Sequence, residues 1–389
     1  MTSVALDRAA TATLAFVRDL VRGYHPRDFE VRLWDGSVLP AETEPRFALV
    51  LTHPGALRAM LWPPSERTLG EAYLRGDVEV EGELEAAFRL GDHLLVGGAP
   101  VRARQLLRLL SLPSAERTSA FAAPADLAGH YDLPAAFFAL FLDARMQYTC
   151  AAFASHDEDL DAAQERKLDL VCRKLGLRTG ERLLDVGCGW GGLLLHATER
   201  YGTLARGVTL STAQAEQARS LGAQVDVADF FELDGAAEYE AIASVGMLEH
   251  VPAARQDAFF RQARQLLRPG GRLLVQAIAR PAHQPPRRGA SFLRTYVFPG
   301  AELVPISDAL AAAERAGFEV RDVESLRESY VLTTRAWRTR LEARREEAAA
   351  IAGDAAVRLF RLYLAGSAHG FSTGRVSVFQ SLLVAREDA

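Results

Sequence analysis

The chain has 389 residues, and at about 100–200 residues per domain that length predicts two or three domains. Apolar residues make up 49% and charged residues 24%, which excludes disordered, collagen-like and mucin-like classes. Forty-five basic against fifty acidic residues give a net charge of -5, and a general nucleic-acid binder, which needs a basic excess, is excluded with them.

Cys150, Cys172 and Cys188 are odd in number and lack metal-ligand spacing, so neither a disulfide framework nor a metal site is expected. Asp7 and Arg8 interrupt the first residues before any continuous apolar run can form, which argues against a secretory leader. No stretch approaches the roughly 18 apolar residues of a spanning helix, and the expectation is a soluble, cytoplasmic protein. Lysine occurs only at Lys167 and Lys174; genomic base composition explains the arginine bias, with bidentate phosphate contacts as the alternative.

Residues 1–95 read as a small α+β unit. Leu14, Phe16, Val17, Leu20 and Val21 mark an opening amphipathic helix, residues 29–36 and 47–53 alternate like strands, and Asp35-Gly36 marks a tight turn. Further on, Leu106, Leu107, Leu109 and Leu110 stand against Arg102, Arg104, Arg108 and Arg117, ahead of an Ala/Pro stretch. Residues 96–125 are therefore predicted to be a basic connecting helix and linker. From His130 strands and helices take turns: strands over 181–187, 205–211, 224–229, 239–246 and 272–280, and helices over 191–202, 213–222 and 255–271. That alternation predicts an α/β doubly wound, mostly parallel sheet.

The run from Leu183 to Gly192 joins the first of these strands to a helix and holds four glycines. Gly187, Gly189 and Gly192 satisfy a dinucleotide pattern, whereas Gly187, Gly189 and Gly191, with Asp185 just ahead, satisfy the pattern of S-adenosylmethionine methyltransferases. The next strand ends in Val208-Thr209-Leu210-Ser211 rather than in the acidic residue that grips an NAD ribose, which favours S-adenosylmethionine.

Residues 130–132, 146–150, 185–192, 207–214 and 244–251, in that order, resemble the cyclopropane-fatty-acyl-phospholipid synthase family. The likeness extends to residues 296–300 and 330–337, and residues 70–77 look like that family's N-terminal domain, which the shorter mycolic-acid cyclopropane synthases lack. The resemblance implies a class I, Rossmann-like methyltransferase domain over 126–389 with a helical lid about 280–350, preceded by an N-terminal lipid-handling or dimerisation domain. It implies that Gly187, Gly189 and Gly191 pass under the methionine part and ribose of S-adenosylmethionine, and that Tyr148, Thr149, Thr209, Gln214, Leu248 and Glu249 line it. Asp229, ending the third strand of this half, is the candidate for the adenine amino group, because a carboxylate accepts from an exocyclic N–H. The family holds a bicarbonate as base, and by motif its ligands here are Cys150, Glu249, Gln276, Ile278 and Tyr330. Gln276 stands where the family has His; an amide still donates a hydrogen bond but does not become a cation. Ser329 and Ser367 replace a family His and Cys.

An alkene is a weak nucleophile, and its attack on a sulfonium methyl leaves a carbocation that must be shielded from water until a proton departs. Proton loss from the former methyl closes a cyclopropane; a hydride shift and loss elsewhere leaves a methylene branch. The expected substrate is a cis-unsaturated acyl chain of a membrane phospholipid, met by a homodimer at the inner membrane face. Exposing roughly ten methylenes to water would cost on the order of 8 kcal/mol, so the acyl tunnel must be apolar. Its candidates are Phe137, Phe138, Leu140, Phe141 and Leu142, then Phe292, Tyr296 and Phe298, and Trp337. Arg287, Arg288 and Arg294, or the basic helix over 102–108, are candidates for headgroup phosphates. The rival activities are C-methylation of a small metabolite and a catalytically silent lipid-binding protein.

Overall fold

The structure, a computed structural model, describes residues 3–95, 103–114, 133–284 and 291–386, with side chains from residue 8 in the first span and residue 107 in the second. Residues 130–132 and Arg102, Arg117, Arg287 and Arg288, and the side chain of Arg104, lie outside that description. The described residues form two compact units that do not follow chain order. The first takes its residues from Met1–Leu133, Gly289–Pro299 and Arg345–His369; the second from Pro134–Arg288, Gly300–Arg344 and Gly370–Ala389. Among the described residues no helix is long and apolar enough to cross a membrane.

The first unit holds a four-stranded sheet of order β2-β1-β3-β4, with β1 Phe29–Leu33, β2 Val38–Leu39, β3 Phe47–Leu51 and β4 Val78–Gly82. Phe29, Val31 and Leu33 alternate inward along β1, and the Phe29 and Phe47 rings stack with centroids 5.1 Å apart. The expected Asp35-Gly36 turn closes the β1–β2 hairpin: Gly36 takes φ +85°, and Asp35 accepts from Ser37 N at 3.0 Å. The basic helix Ala103–Ser111 is part of this unit, with Leu109 buried and the Arg58 guanidinium donating to the Leu110 and Leu112 carbonyls.

Phe292 and Tyr296, candidates for the acyl tunnel, are instead buried in the first unit. A Cβ on Gly70 would stand 2.3 Å from Phe292 Cδ2, so the ring lies directly on the helix Glu66–Leu74. Tyr296 OH donates to Glu71 Oε1 at 2.8 Å, and the Phe298 ring meets Tyr363 edge to face. Aromatic spacing reports that a face is buried without reporting what covers it, and here the cover is the unit's own interior.

The second unit is built on a seven-stranded sheet of order β10-β11-β9-β8-β5-β6-β7. Its strands are β5 Arg182–Val186, β6 Leu204–Thr209, β7 Gln224–Val227, β8 Tyr239–Val245, β9 Leu267–Ala279, β10 Phe318–Ser325 and β11 Ser377–Ala385. Neighbours among β5 to β9 run parallel, and β11 is antiparallel to both β9 and β10. This is the expected doubly wound fold. Leu184, Val186 and Leu273 face one apolar layer with Phe259, Phe260 and Ala313, while Leu183 and Leu274 face the other with Leu168, Val171 and Leu194. Central parallel strands are covered on both sides, which is why β5 reads as a continuous apolar run rather than an alternation.

Part of the span expected to form a helical lid belongs to this sheet. Ala309, Ala312 and Ala313 of the helix Ile306–Arg315 pack with Phe318 of β10 in the first apolar layer. β10 is an edge strand interleaved with Glu319, Arg321, Asp322 and Glu324, so its apolar signal is weak. The close seat of Phe292 sets a test: Gly70→Ala should lower stability by about 1–3 kcal/mol, read from urea unfolding of the full chain, because the added methyl meets Phe292 Cγ at 3.0 Å as well as the ring edge.

Candidate functional site

In the second unit the strand order reverses at β5, which lies between β8 and β6, and the loops leaving β5 and β8 therefore diverge and open a crevice at their C-terminal ends. From β5 the chain turns through Gly187 (φ +77°), Gly189 (φ +54°) and Gly191 (φ +81°) into the helix Gly192–Tyr201. A Cβ on Gly187 would stand 3.0 Å from Met247 Cγ in the loop after β8, whereas one on Gly189 would meet nothing within 4 Å. Thus the two loops touch at Gly187 while the backbone at Gly189 faces open space, as a turn built to pass beneath a ligand requires. Asp185, the last polar residue of β5, is 3% exposed, and burial pushes its carboxyl up to about 7.

Thr209 ends β6, and its Oγ1 donates to Gln214 Oε1 at 3.0 Å, leaving the Gln214 amide nitrogen as the donor end. Ser211 caps the helix Thr212–Ser220 by accepting from Gln214 N. Asp229 stands just past β7, and its Oδ1 accepts from Phe231 N at 2.9 Å as the cap of a short 3-10 turn. That bond occupies one carboxylate oxygen.

A strap over residues 143–150 forms another wall. Asp143 accepts from the N–H groups of Arg145 (2.9 Å) and Gln147 (2.7 Å), folding the strap back on itself. The Tyr148 ring joins an aromatic group: Phe138 at 5.3 Å, Trp337 at 5.2 Å and Phe141 at 6.2 Å between centroids. Trp190, within the glycine turn, closes the same group on Phe138 at 5.3 Å. On the strap's other side Lys167, 1% exposed, donates to Gln147 Oε1 at 2.6 Å and Thr149 Oγ1 at 2.9 Å. Sequence reasoning missed Lys167 and its neighbour Gln164; the one signal for Lys167 was its rarity in a chain with two lysines.

The structure connects the expected anion-site residues in stages. Cys150 ends the strap, fully buried, and its Sγ faces the carbonyls of Ala151 at 3.2 Å and Leu326 at 3.5 Å. Burial drives its thiol far above the usual range, so it stays protonated and a poor nucleophile. Gln276, on β9, donates from Nε2 to Cys150 O at 3.4 Å and accepts at Oε1 from Gln380 Nε2 at 2.9 Å. A main-chain carbonyl only accepts, so the Cys150 contact orients the Gln276 amide with nitrogen toward the strap, and Gln380 must then present its own nitrogen. Two residues along β9, Ile278 N donates to Glu249 Oε1 at 2.6 Å. Glu249 Oε2 is buried with no hydrogen-bond partner among the described residues, and desolvation pushes this carboxyl up to about 7. Leu248, beside it, is 3% exposed and belongs to the sheet's apolar layer.

Tyr330 rides on the helix Arg327–Ala343, stacked on Phe371 at 4.3 Å. That helix is pinned to the chain just after the strap, where Thr333 Oγ1 accepts from Ala151 N (3.1 Å) and Ser329 Oγ accepts from Phe153 N (3.2 Å). Ser329, which departs from the family pattern, thus serves the packing. No direct Tyr330 to Glu249 bond links the two ends of the set among the described residues.

Glu249 generates a pH prediction. Its folded value lies above the ordinary carboxylate value, so the stability tied to its protonated form is present below about pH 4.5 and is lost as pH rises to about 7. Glu249→Gln has no such loss. Its stability relative to wild type should rise by on the order of 1–3 kcal/mol between pH 5 and pH 8 in urea unfolding, and a pH-independent difference would contradict the assignment.

Residues 119–381 match the family model described as mycolic acid cyclopropane synthetase, and residues 16–90 match a domain family of unknown function. The chain is 37% identical over 366 residues to a probable fatty acid methyltransferase of Pseudomonas putida, covering 91% of both chains. It is 36% identical over 279 residues to the tuberculostearic acid methyltransferase UfaA1 of Mycobacterium tuberculosis, covering 67% of this chain and 64% of that protein. The crystal structure of mycolic acid cyclopropane synthase CmaA1 complexed with SAH and CTAB superposes with a TM-score of 0.62 at 34% identity, covering 68% of this chain and 98% of that one. The chain therefore belongs to the mycolic acid cyclopropane synthetase family and is an S-adenosylmethionine-dependent methyltransferase.

Proposed function

We propose that this enzyme transfers a methyl group to a cis double bond in an acyl chain of a membrane phospholipid and closes a cyclopropane ring. S-adenosylmethionine supplies an electrophilic methyl on a sulfonium centre. Gly187, Gly189 and Gly191 carry its methionine part and ribose, Tyr148, Thr149, Thr209, Gln214 and Leu248 line it, Asp185 lies beneath the turn, and Asp229 takes the adenine amino group through its remaining carboxylate oxygen.

The observation that carries the reading is Glu249: a desolvated carboxyl with Oε1 held by Ile278 N and Oε2 unpartnered, in a site whose nearby thiol is silenced by burial. A cation formed in the acyl chain needs a weak base close by and no strong nucleophile. Cys150 as a buried thiol satisfies the second need. Glu249, its Oε1 already held by the Ile278 amide, satisfies the first, either directly or by holding a bicarbonate together with Gln276, with Tyr330 on the adjoining helix. A protonated Glu249 and the Gln276 amide both donate to an anion, so the donor set fits that group. The aromatic faces of Phe138, Tyr148 and Trp337 give the cation further stabilisation.

An acyl substrate is supported by the names of the relatives and by CTAB, a single-chain amphiphile, in the related crystal structure. Such a substrate lies in a bilayer, and we assign the enzyme to the cytoplasmic membrane face as a peripheral homodimer. Exposed Trp62 and Leu107 give the first unit apolar side chains suited to a headgroup region, in keeping with a lipid-handling or dimerising role. Gln276 favours a second reading, methylene branching from the same substrate and cofactor, because an amide takes up no proton where the family has an imidazole.

Gas chromatography–mass spectrometry of a bacterial host lacking its own synthase, expressing this chain and fed oleate, tests both. A C19 cyclopropane acid is expected. A C19 methylene-branched acid moves the product to the second reading, and no gain of 14 mass units on any acyl chain, with the protein folded and binding S-adenosylmethionine, would overturn the lipid assignment.

A further inference from the structure

We propose that Lys167 is a positioning residue for S-adenosylmethionine: its ammonium ties down residues 147–149 so that Tyr148 stands at the cofactor crevice. The inference rests on the reading in which Tyr148 and Thr149 line the cofactor.

Lys167 lies on the helix Leu160–Lys174, on a buried face it shares with Leu160, Ala163, Gln164, Leu168, Val171 and Cys172. Burying an ammonium there is costly, and a Met would fill the same space without that cost. Its partners explain it. Nζ donates to the side chains of Gln147 (2.6 Å) and Thr149 (2.9 Å), and Gln164, three residues earlier on the same helix, donates from Nε2 to the carbonyls of Gln147 (3.3 Å) and Thr149 (2.9 Å). Four bonds thus fall on residues 147 and 149. Tyr148, between them, is turned the other way into the aromatic group of Phe138 and Trp337.

The strap has little room to settle elsewhere. A Cβ on Gly192, where the glycine turn becomes a helix, would stand 2.2 Å from Gln147 Nε2; one on Gly246, ahead of Glu249, would stand 2.7 Å from Thr149 Cγ2. The strap is wedged between the two loops that frame the crevice, with the helix at its back. The ammonium also attracts the buried Asp143 and Asp185 carboxyl groups electrostatically. Remove it, and the strap loses two of its four anchors beside the cofactor while the aromatic contacts remain.

Lys167→Met should weaken S-adenosylhomocysteine binding in calorimetry by about tenfold, with a matching rise in KM for S-adenosylmethionine and kcat within about threefold on oleoyl-phospholipid vesicles. A merely structural role would lower the melting temperature of the ligand-free enzyme and leave the Kd and KM unmoved, and that result overturns the proposal. Should Lys167→Met fail to fold, Gln147→Leu removes one acceptor and should weaken binding about fivefold; an unchanged Kd there is equally contrary. Tyr148→Ala separates the two readings. If it weakens binding while folded Lys167→Met, or Gln147→Leu in its stead, does not, Lys167 alone is misassigned. If it leaves binding unchanged, the placement of the strap along the cofactor has failed, and the inference with it.

Discussion

The active region depends on one constraint, the reversal of strand order at β5. Parallel strands send their connections to opposite faces on either side of such a point, so the loops after β5 and β8 part and leave a crevice between them. Each later feature is a consequence of how that gap is bordered. The glycine turn closes its floor, the loop bearing Leu248 and Glu249 forms one rim, and the strap over 143–150 lies against both.

Water exclusion sets the protonation states. Asp185 and Glu249 are both raised to about 7, Lys167 is lowered to about 8, and the Cys150 thiol is raised out of reach of ordinary pH, all chiefly through desolvation. The same dryness that makes these groups expensive to ionise suits chemistry in which a cation must survive until a chosen proton leaves. Hydrogen bonds within the site are sparing: Glu249 uses one oxygen on Ile278, and Gln276 is oriented through Cys150 and Gln380 rather than by a charged partner.

The first unit shows how far apparent chain order misleads. Phe292 and Tyr296 read as wall residues of a tunnel, yet they meet Gly70 and Glu71, more than two hundred positions earlier. Arg358 likewise stands over the Tyr73 ring at 4.4 Å. An apolar or aromatic period shows that a face is covered, and distant segments compete to cover it; only the folded chain shows which one does. β10 escaped notice for the opposite reason, since an edge strand with charged residues on its exposed positions has too little apolar alternation to stand out.

Local chemistry was legible in the sequence. The apolar run ending at Asp185, the glycines after it and the Thr209–Gln214 run determined a strand, a glycine turn and a capped helix, because each depends on residues within about ten positions. Tertiary structure alone decided what surrounds them. It put Lys167 and Gln164 behind the strap, joined Cys150 to Gln276 and Gln276 to Gln380, and gave Glu249 its bond to Ile278. A buried polar group takes its orientation and its pKa from whichever partners the fold brings within about 3 Å and from the water the fold removes, and neither is written in the residues beside it.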